Sequence, residues 1–295
     1  HTGAKMHWFG SLLAGAKSVL LRGVKPEWIL RAVTEEKCTI VWLLVPWAQD
    51  LLDAIESGKI NLDSYYLDQW RLMHIGAQPV PPSLINRWRK VFPHHQYDTN
   101  YGLSESIGPG CVHLGVENIH KVGAIGKPGY LWKAKIIDEQ GNPVKQGEVG
   151  ELAVFGPGVM QCYYKNPEAT AAVFTEDGYL RTGDLGVIDA QGNIFIRGRS
   201  KCMILTANGQ NIYPEELESK LNSLPYVAES LIVEREKRLY ALVAVAENTD
   251  GMSKDEIAAT MEQNRQDLNK MLPAYSQVVG IEILEEGFEH TPKRS

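Results

Sequence analysis

The residues with the clearest chemical potential lie between positions 98 and 105, in the segment Asp-Thr-Asn-Tyr-Gly-Leu-Ser-Glu. The ring of Tyr101 could stack on a nucleobase, and Gly102 permits the backbone to approach a ligand closely. The hydroxyl of Ser104 could donate to a phosphate oxygen, and the carboxylate of Glu105 could bind Mg²⁺. The same octamer would also suit an ordinary loop with a satisfied hydroxyl and a solvated carboxylate, so by itself it leaves both interpretations open.

Two further segments carry charged groups next to glycine. In Tyr179-Leu-Arg-Thr-Gly-Asp-Leu-Gly186 the carboxylate of Asp184 is expected in a Thr-Gly-Asp turn, where it could accept hydrogen bonds from the vicinal hydroxyls of a ribose. The alternative is an ordinary turn that the Asp side chain closes. Residues 196–201 place three cationic side chains around a glycine, and a solvated basic linker is the alternative there.

The segment from Gly10 to Ser18 is only superficially similar to a phosphate-binding P-loop. Ala16 separates the second glycine, Gly15, from Lys17, whereas the P-loop pattern has Lys directly after Gly. The segment also lies at the end of a predicted helix and enters a predicted strand, the reverse of the order that a P-loop requires. We therefore expect Gly15 to terminate a helix rather than to bind phosphate.

The elements that must position these groups change character along the chain. Residues 1–114 alternate apolar or β-branched runs with helical stretches, several of which begin at proline, a residue well suited to the first turn of a helix. This alternation predicts parallel β-α-β units, an α/β arrangement. The expected strands are residues 17–21, 39–44 and 71–75, and the expected helices are residues 26–36, 46–56 and 82–91.

Residues 115–198 are predicted to form a β-rich region, and residues 199–295 a small α+β unit. Short apolar runs separated by Gly-containing turns indicate strands at 134–137, 151–155 and 194–196. The last unit is expected to contain strands at 203–206, 227–234, 239–246 and 278–284, with helices at 214–222 and 254–271. The predicted fold class is therefore α/β and α+β.

Composition excludes several classes of protein. Hydrophobic residues make up 44% of the 295 residues and charged residues 22%, which excludes a disordered chain. The net charge of −6 and the absence of dense Lys/Arg runs argue against nucleic-acid binding. The longest apolar stretch, residues 40–47, is shorter than the roughly 20 residues that span a bilayer. Four cysteines without CxxC spacing favour free thiols in a reducing cytoplasm rather than a metal site or disulfides.

Motifs along the whole chain resemble those of the adenylate-forming (AMP-binding) acyl-CoA synthetase superfamily, which also includes luciferases and nonribosomal-peptide adenylation domains. The resemblance rests on the order and spacing of the motifs, since any single one is weak. It implies the C-terminal portion of the family's large domain at 1–198 and its small, mobile C-terminal domain at 199–295. The motifs are His1-Thr-Gly3, Ile75-Gly-Ala-Gln-Pro79, Tyr101-Gly-Leu-Ser-Glu105, Val122-Gly-Ala-Ile-Gly-Lys-Pro128, Gly150-Glu-Leu152, Tyr164-Lys-Asn-Pro-Glu-Ala-Thr170, Tyr179-Leu-Arg-Thr-Gly-Asp184, Ile196-Arg-Gly-Arg-Ser-Lys201 and Asn208-Gly-Gln-Asn-Ile-Tyr-Pro-Glu-Glu216.

The resemblance implies a two-step reaction that uses ATP, Mg²⁺ and CoA. A fatty or aromatic carboxylic acid attacks the α-phosphate of ATP to give an acyl-adenylate and pyrophosphate, and the CoA thiol then attacks the activated carbonyl. The attack builds negative charge on phosphate oxygens, which requires cations and oriented donors more than a general base. The acid, ATP and CoA are the expected partners; the sequence identifies neither the acyl group nor the oligomeric state.

The same resemblance implies roles for individual residues. Ser104 and Glu105 would act at the phosphates, with Glu105 as the Mg²⁺ ligand. Lys201 would be the hinge about which the small domain rotates, and Gly209 would lie near CoA. The acyl group would be contacted by His1, Gly76 and Gly102. The nucleotide would be contacted by Gly76, Ala77, Gln78, Asn100, Tyr101, Gly102, Ser104, Asp184, Ile196 and Arg199.

The sequence departs from the family pattern in the parts that act on the outer phosphates. The family's Ser/Thr/Gly-rich loop with its lysine is absent and belongs upstream of His1. The family's C-terminal Pro-Lys-Thr-x-x-Gly-Lys segment is represented only by Thr291-Pro-Lys-Arg-Ser295, so no adenylation lysine is assigned. We therefore expect the chain to be a piece of an enzyme.

Two other functions stay open at this point. An adenylation domain that loads a carrier protein would share these motifs, although no carrier segment follows in the sequence; formation of AMP that depends on CoA, without a carrier, would separate the two. A non-catalytic fragment or pseudo-enzyme that binds nucleotide would also fit the absent loops.

We expect the 295-residue chain by itself to form acyl-adenylate far more slowly than a normal enzyme, because it lacks the lysine loop that stabilises charge on the outer phosphates. ATP–pyrophosphate exchange with a panel of fatty and aromatic acids measures this rate. Exchange at about 1 s⁻¹ or faster, a rate common among enzymes, would contradict the expectation.

Overall fold

The chain contains two compact units, seen in a computed structural model. The structure describes residues 2–76, 78–107, 111–206, 209–246, 249, 251–285 and 287–288, with the backbone alone at residues 2–7. The two units are His1–Ile196 and Arg197–Ser295. Separate clusters of buried apolar side chains form the cores, two in the first unit and one in the second.

The first unit begins with four helices and a five-stranded sheet. Its elements are α1 (Thr2–Leu13), α2 (Pro26–Glu36), β1 (Ile40–Leu44), α3 (Val45–Glu56), β2 (Leu72–Gly76), α4 (Pro82–Val91), β3 (Gln96–Tyr101), β4 (Val112–His113) and β5 (Lys127–Pro128). Strands β1, β2 and β3 are neighbours and run parallel, and β4 and β5 extend the sheet antiparallel. The parallel β-α-β arrangement predicted from the sequence is confirmed.

Helices α2, α3 and α4 each carry proline in the first turn, where an N–H has no partner within the helix and is not missed. Their apolar faces share one core with the buried side of the sheet, including Leu30, Leu51, Ile75 and Trp88, all 2% exposed or less. Burial of such large side chains is the main favourable term in folding of this part. No helix in the described ranges is long and apolar enough to cross a membrane.

A second, four-stranded sheet completes the first unit. Its elements are β6 (Lys133–Ile137), β7 (Gly150–Phe155), α5 (Pro167–Ala172), β8 (Leu180–Ile188) and β9 (Ile194–Arg199), which continues into the second unit. The strand order is β6-β7-β8-β9, and both β6 and β8 pair antiparallel with β7. The β-rich region is confirmed, but β8 is not among the predicted strands, because the Thr-Gly-Asp pattern at its centre predicts a turn.

Among its described residues, the second unit has a three-stranded sheet, a two-stranded sheet formed by its first two strands, and two α-helices. Its elements are β10 (Ile204–Leu205), β11 (Asn211–Ile212), α6 (Pro214–Leu221), β12 (Val227–Arg235), β13 (Arg238–Val245), α7 (Lys254–Lys270) and β14 (Val278–Ile283). Strand β13 pairs antiparallel with β12 and parallel with β14. Ser253 and Glu256 form a capping box that satisfies the first backbone donors of α7. The predicted α+β arrangement is confirmed.

One predicted strand is wrong. Residues 17–21 have no regular secondary structure, and Leu20 is 77% exposed. A strand needs a neighbour to take its backbone hydrogen bonds, and among the described strands none pairs with this segment. The helix end predicted next to it is confirmed, since α1 ends at Leu13 and Gly15 takes the left-handed conformation at φ 65°.

Glu218 on α6 makes the stability of the second unit depend on pH. Burial raises the pKa of Glu218 from 4.5 to about 7, against the effect of the hydrogen bond that it accepts from the Ile232 N–H at 2.8 Å, while the charges of Glu215 and Glu229 raise the pKa further. A group whose pKa is raised by folding contributes stability that is complete below its unfolded pKa and is lost as the pH rises through its folded pKa. The free energy of unfolding should therefore fall between pH 4.5 and about 7.

We expect Glu218→Gln to remove this loss, because the amide oxygen can still accept from the Ile232 N–H but carries no charge. Thermal unfolding should show the variant more stable than the unaltered chain at about pH 8 and no more stable at about pH 5. Glu234→Gln, at an exposed position on β12, is the matched control and should change neither. An equal effect of Glu218→Gln at both pH values would contradict the assignment.

Candidate active site

The first group of candidate residues stands at the carboxyl edge of the parallel strands. Gly76 is the last residue of β2 and pairs with Asn100 on β3, where Tyr101 is the final residue. Ligands of α/β proteins bind outside the carboxyl ends of parallel strands. The topology therefore brings together two motifs that are far apart in the sequence.

Tyr101 connects this edge to the second sheet of the same unit. Its hydroxyl donates a hydrogen bond to Oδ2 of Asp184, which is 83 residues later in the chain and lies on β8. Burial, followed by the charge of Asp184, raises the pKa of Tyr101 well above its usual value of 10. The phenol therefore keeps its proton and remains a donor, and the hydrogen bond holds both the ring and the carboxylate in place.

Asp184 lies within a strand and not in a turn, which corrects the sequence prediction. The register of β7 and β8 shifts at this point, so that Thr182, Gly183 and Asp184 stand opposite Leu152 alone in a β-bulge. Gly183 has φ 73°, a left-handed conformation that glycine adopts without strain. A bulge and a tight turn both need this glycine, so the Thr-Gly-Asp pattern could not distinguish them.

Glu151 on β7 supports the bulge from the neighbouring strand. Its Oε1 accepts a hydrogen bond from the Gly183 N–H at 2.9 Å, and its Oε2 accepts from Nη1 of Arg181 at 2.7 Å. Both carboxylate oxygens of Glu151 thus accept hydrogen bonds from residues of β8, one on each side of Thr182. The position of Asp184, which is 7% exposed, depends on this arrangement.

Ser104 and Glu105 lie in a single 3₁₀ turn directly after β3. Ser104 is exposed, so its hydroxyl can meet a ligand. Glu105 is half-buried, and its Oε1 accepts a hydrogen bond from the Tyr163 hydroxyl at 3.0 Å. Burial, and then the hydrogen bond to Glu105, raise the pKa of Tyr163, so the phenol is the donor in this pair.

Glu105 is the candidate ligand for Mg²⁺. Among the described residues, no group of three or more His, Cys, Asp or Glu side chains is placed to hold a metal ion. Magnesium is commonly bound by one or two carboxylates, with waters and substrate phosphates as its other ligands. The donor set therefore fits an ion that arrives with a phosphate ligand rather than a metal centre built by the protein alone.

A chain of polar side chains runs across β2 and β3 beside Gly76. Nε2 of His74 lies 2.9 Å from Nδ2 of Asn100, and Nδ1 of His74 lies 3.4 Å from Oδ2 of Asp98. Oδ1 of Asp98 accepts from the Gly115 N–H at 2.9 Å. Burial would raise the pKa of Asp98, but the hydrogen bonds from His74 and Gly115 outweigh it and lower this pKa, so the carboxylate stays ionised.

The other expected residues of the first unit are less completely described. Gly102 follows β3, Gln78 follows the end of β2, and Ile196 lies on β9. His1 and Ala77 lie outside the described residues. The structure thus groups Gly102 with Gly76 and Tyr101 at the strand ends.

Three expected residues belong to the second unit. The backbone N–H of Arg199 donates to Oε1 of Glu215 on α6 at 3.1 Å, whereas Lys201 and Gly209 are exposed in the loops that follow. The segment Thr291–Ser295, with Lys293, lies outside the described residues. Of these three residues, Arg199 is therefore the one whose backbone N–H is bound by a side chain of α6.

Sequence reasoning missed two residues that support the site, Tyr163 and Glu151. Tyr163 is one of two adjacent tyrosines, and that pattern does not reveal which of them reaches Glu105. Glu151 belongs to the motif Gly150-Glu-Leu152, which does not reveal what its carboxylate contacts. Both act through contacts across strands or loops, for which the local sequence carries no signal.

Two models of known families match successive parts of this chain. A model of the AMP-binding enzyme family matches residues 1–164, more than half of the chain. A model of the AMP-binding enzyme C-terminal domain matches residues 201–295. The two matches lie in the order that the motifs predict.

Similar proteins include several CoA ligases. A feruloyl-CoA synthase of Amycolatopsis sp is 32% identical over 224 residues, which are 76% of this chain and 44% of that protein. A medium/long-chain-fatty-acid–CoA ligase of Mycobacterium tuberculosis is 31% identical over 267 residues, 88% of this chain and 44% of that protein. The chain thus spans about half the length of the curated relatives it matches.

A solved structure has a similar fold. The O-succinylbenzoate coenzyme A synthetase of Bacillus subtilis, in complex with ATP and a magnesium ion, superposes with a TM-score of 0.81 at 26% identity. The match covers 100% of this chain and 58% of that one.

Proposed function

The chain belongs to the AMP-binding enzyme family, and we propose that it acts in the ATP-dependent activation of a fatty or aromatic carboxylic acid to an acyl-adenylate, which CoA then converts to a thioester. This is the activity of an AMP-forming acid–thiol ligase. The observation that carries the proposal is the hydrogen bond between Tyr101 and Asp184, which joins an aromatic ring at the end of β3 to a buried acceptor on β8. The CoA-ligase names of the relatives support it.

In this proposal Tyr101 and Asp184 bind adenosine. The ring of Tyr101 stacks on adenine, and the carboxylate of Asp184 accepts hydrogen bonds from the ribose hydroxyls. A carboxylate has about four lone-pair positions, so the bond from Tyr101 leaves Asp184 with acceptor capacity. The hydrogen bond from Tyr101 orients the Asp184 carboxylate, and Glu151 holds the strand that carries it, before the ligand arrives. Binding therefore loses little conformational entropy of these side chains.

Ser104 and Glu105 act at the α-phosphate. The exposed hydroxyl of Ser104 donates to a phosphate oxygen as charge develops there, and Glu105, oriented by Tyr163, holds Mg²⁺. The ion, when bound, neutralises negative charge on the phosphates. The carboxylic acid is itself the nucleophile, so these residues stabilise charge and orient groups and none acts as a general base.

The other proposed assignments concern the rest of the chain. Residues 1–198 form the C-terminal portion of the large AMP-binding domain, and residues 199–295 form the small domain, in which Lys201 is the hinge and Gly209 faces CoA. The C-terminal-domain match at 201–295 supports this division. We place the activity in the cytoplasm. The acyl group is contacted by His1, Gly76 and Gly102, and the nucleotide also by Gly76, Ala77, Gln78, Gly102, Ile196 and Arg199.

We expect Asp184→Ala to weaken the binding of AMP by about tenfold or more, because the ribose hydroxyls lose a buried acceptor. Tyr101→Phe keeps the stacking ring and removes only the hydroxyl that orients Asp184, so a smaller loss of about threefold is expected. Titration calorimetry with AMP measures both affinities.

The control for Asp184→Ala is Asp177→Ala. Asp177 is exposed in the turn before β8 and binds Lys135 at 2.8 Å, so its removal should leave the affinity for AMP unchanged. Equal affinities of Asp184→Ala and the unaltered chain would contradict the role of Asp184 as the ribose acceptor.

We expect Glu105→Gln to abolish the increase in ATP affinity that Mg²⁺ produces, since the amide is a poor ligand for a hard cation. Binding of AMP without Mg²⁺ should stay unchanged, which separates loss of the ion from loss of the fold. Calorimetry with ATP, with and without Mg²⁺, makes the measurement, and Glu117→Gln at an exposed position is the control. A variant that still binds ATP more tightly with Mg²⁺ would refute the assignment.

A further inference from the structure

The carboxylate of Glu215 lies against the segment with which the second unit begins. Gly198 and Arg199 are the last two residues of β9, and Glu215 stands in the first turn of α6. Oε1 of Glu215 accepts a hydrogen bond from the Arg199 N–H at 3.1 Å, across 16 residues of sequence. Its other oxygen, Oε2, is shielded from solvent. The carboxylate is thus seated on the backbone of this segment rather than free at the surface.

Gly198 leaves the space that this carboxylate occupies. Gly198 is buried, and a Cβ built on its backbone would lie 2.9 Å from Cδ of Glu215 and would overlap Oε2. A side chain at position 198 would therefore push the Glu215 carboxylate away from the Arg199 N–H. The glycine is needed here because it permits a close approach to the backbone.

Helix α6 gives Glu215 a fixed base. Leu217 and Leu221, on the same short helix, are buried in the core of the second unit. The first helical turn is also where the helix dipole favours a negative charge. On the other side of the contact, the Cys202 N–H donates to the Arg199 carbonyl at 3.1 Å. Both backbone polar groups of Arg199 are therefore hydrogen-bonded within this unit.

We infer that Glu215 is a positioning residue for Arg199, since its carboxylate, seated over Gly198, fixes the backbone from which the Arg199 guanidinium acts on the nucleotide. This inference rests on the proposed function, which assigns Arg199 to the nucleotide. A guanidinium can only donate hydrogen bonds, and a nucleotide offers many acceptors. Because the backbone of Arg199 is fixed before the ligand arrives, fewer torsions have to be ordered on binding.

Hydrogen exchange of the Arg199 amide, followed by NMR with the full chain, tests the contact itself. Glu215→Ala removes the acceptor and should speed this exchange about tenfold, because a hydrogen bond to a charged group is lost. Glu215→Gln keeps an oxygen that can accept and should restore most of the protection. Glu216→Ala, which removes only an ion pair with the exposed Arg197, is the matched control and should leave the Arg199 amide unchanged. Unchanged exchange in Glu215→Ala would overturn the inference.

Gly198→Ala tests whether the glycine serves the carboxylate. By itself it should speed exchange of the Arg199 amide about as much as Glu215→Ala does, because the added methyl group displaces Oε2. In the Glu215→Ala background the same substitution should have no further effect, since no carboxylate is left to displace. Additive effects would mean that the backbone alone requires the glycine, and would overturn its role in seating Glu215.

Titration calorimetry with AMP tests the positioning role. Arg199→Ala should weaken AMP binding about tenfold, and Glu215→Ala should weaken it by part of that amount, about threefold. In the Arg199→Ala background, Glu215→Ala should cause no further loss, because it acts only through Arg199. A general loss of structure would instead weaken binding in both backgrounds. That result, or full affinity in Glu215→Ala, would overturn the positioning role.

The outcomes separate this inference from the proposed function. If AMP binds and Asp184→Ala weakens it, but Arg199→Ala does not, the inference is wrong while the nucleotide site stands. If the unaltered chain does not bind AMP, the proposed function itself fails, and the positioning role fails with it.

Discussion

The hydrogen bond from the Tyr101 hydroxyl to the Asp184 carboxylate joins the two sheets of the first unit, which an isolated backbone bridge between Gly126 and Ile194 also links. Asp184 is buried, and a buried carboxylate is costly unless donors satisfy it. The phenol provides one donor, and burial together with the nearby charge keeps its proton in place. The strand that carries Asp184 is in turn held in its bulge by Glu151, through Gly183 and Arg181. The candidate adenosine site is therefore assembled before any ligand arrives, and each of its parts depends on a partner from another strand.

A second constraint is the alternation of side chains at the carboxyl edge of the parallel strands. Because Gly76 and Asn100 are in register, the strand ends form one edge, and consecutive residues on β3 face opposite ways. Tyr101 thus serves the side of Asp184, and Asn100 serves the side of His74 and Trp42. Gly76 stands at the same edge, where its lack of a side chain keeps space beside Asn100. The end of β3 thus presents an aromatic ring on one side of the sheet and an amide on the other.

The first residues of the second unit are attached to helix α6 by a hydrogen bond and an ion pair. Oε1 of Glu215 accepts from the Arg199 backbone N–H at 3.1 Å, and Glu216 pairs with Arg197 at 2.7 Å, so the first turn of α6 holds the segment that enters this unit. Lys201, two residues after Arg199, is exposed. Exposed ion pairs contribute little stability, so the hydrogen bond to the backbone is the more definite attachment of the two.

The sequence predicted the order of the elements, the parallel strands and the small α+β unit, because helix-starting prolines, apolar periodicity and Gly-containing turns act locally. It also determined the family, since many weak motifs in one order are specific together, and it singled out Tyr101, Glu105 and Asp184. The sequence did not predict the contacts between strands. These include the lack of a strand neighbour for residues 17–21 among the described strands, the bulge at Gly183, and the contacts of Tyr163 with Glu105 and of His74 with Asn100. These features are visible only in the folded chain, because a hydrogen bond between residues tens of positions apart depends on strand register and on which face each side chain takes.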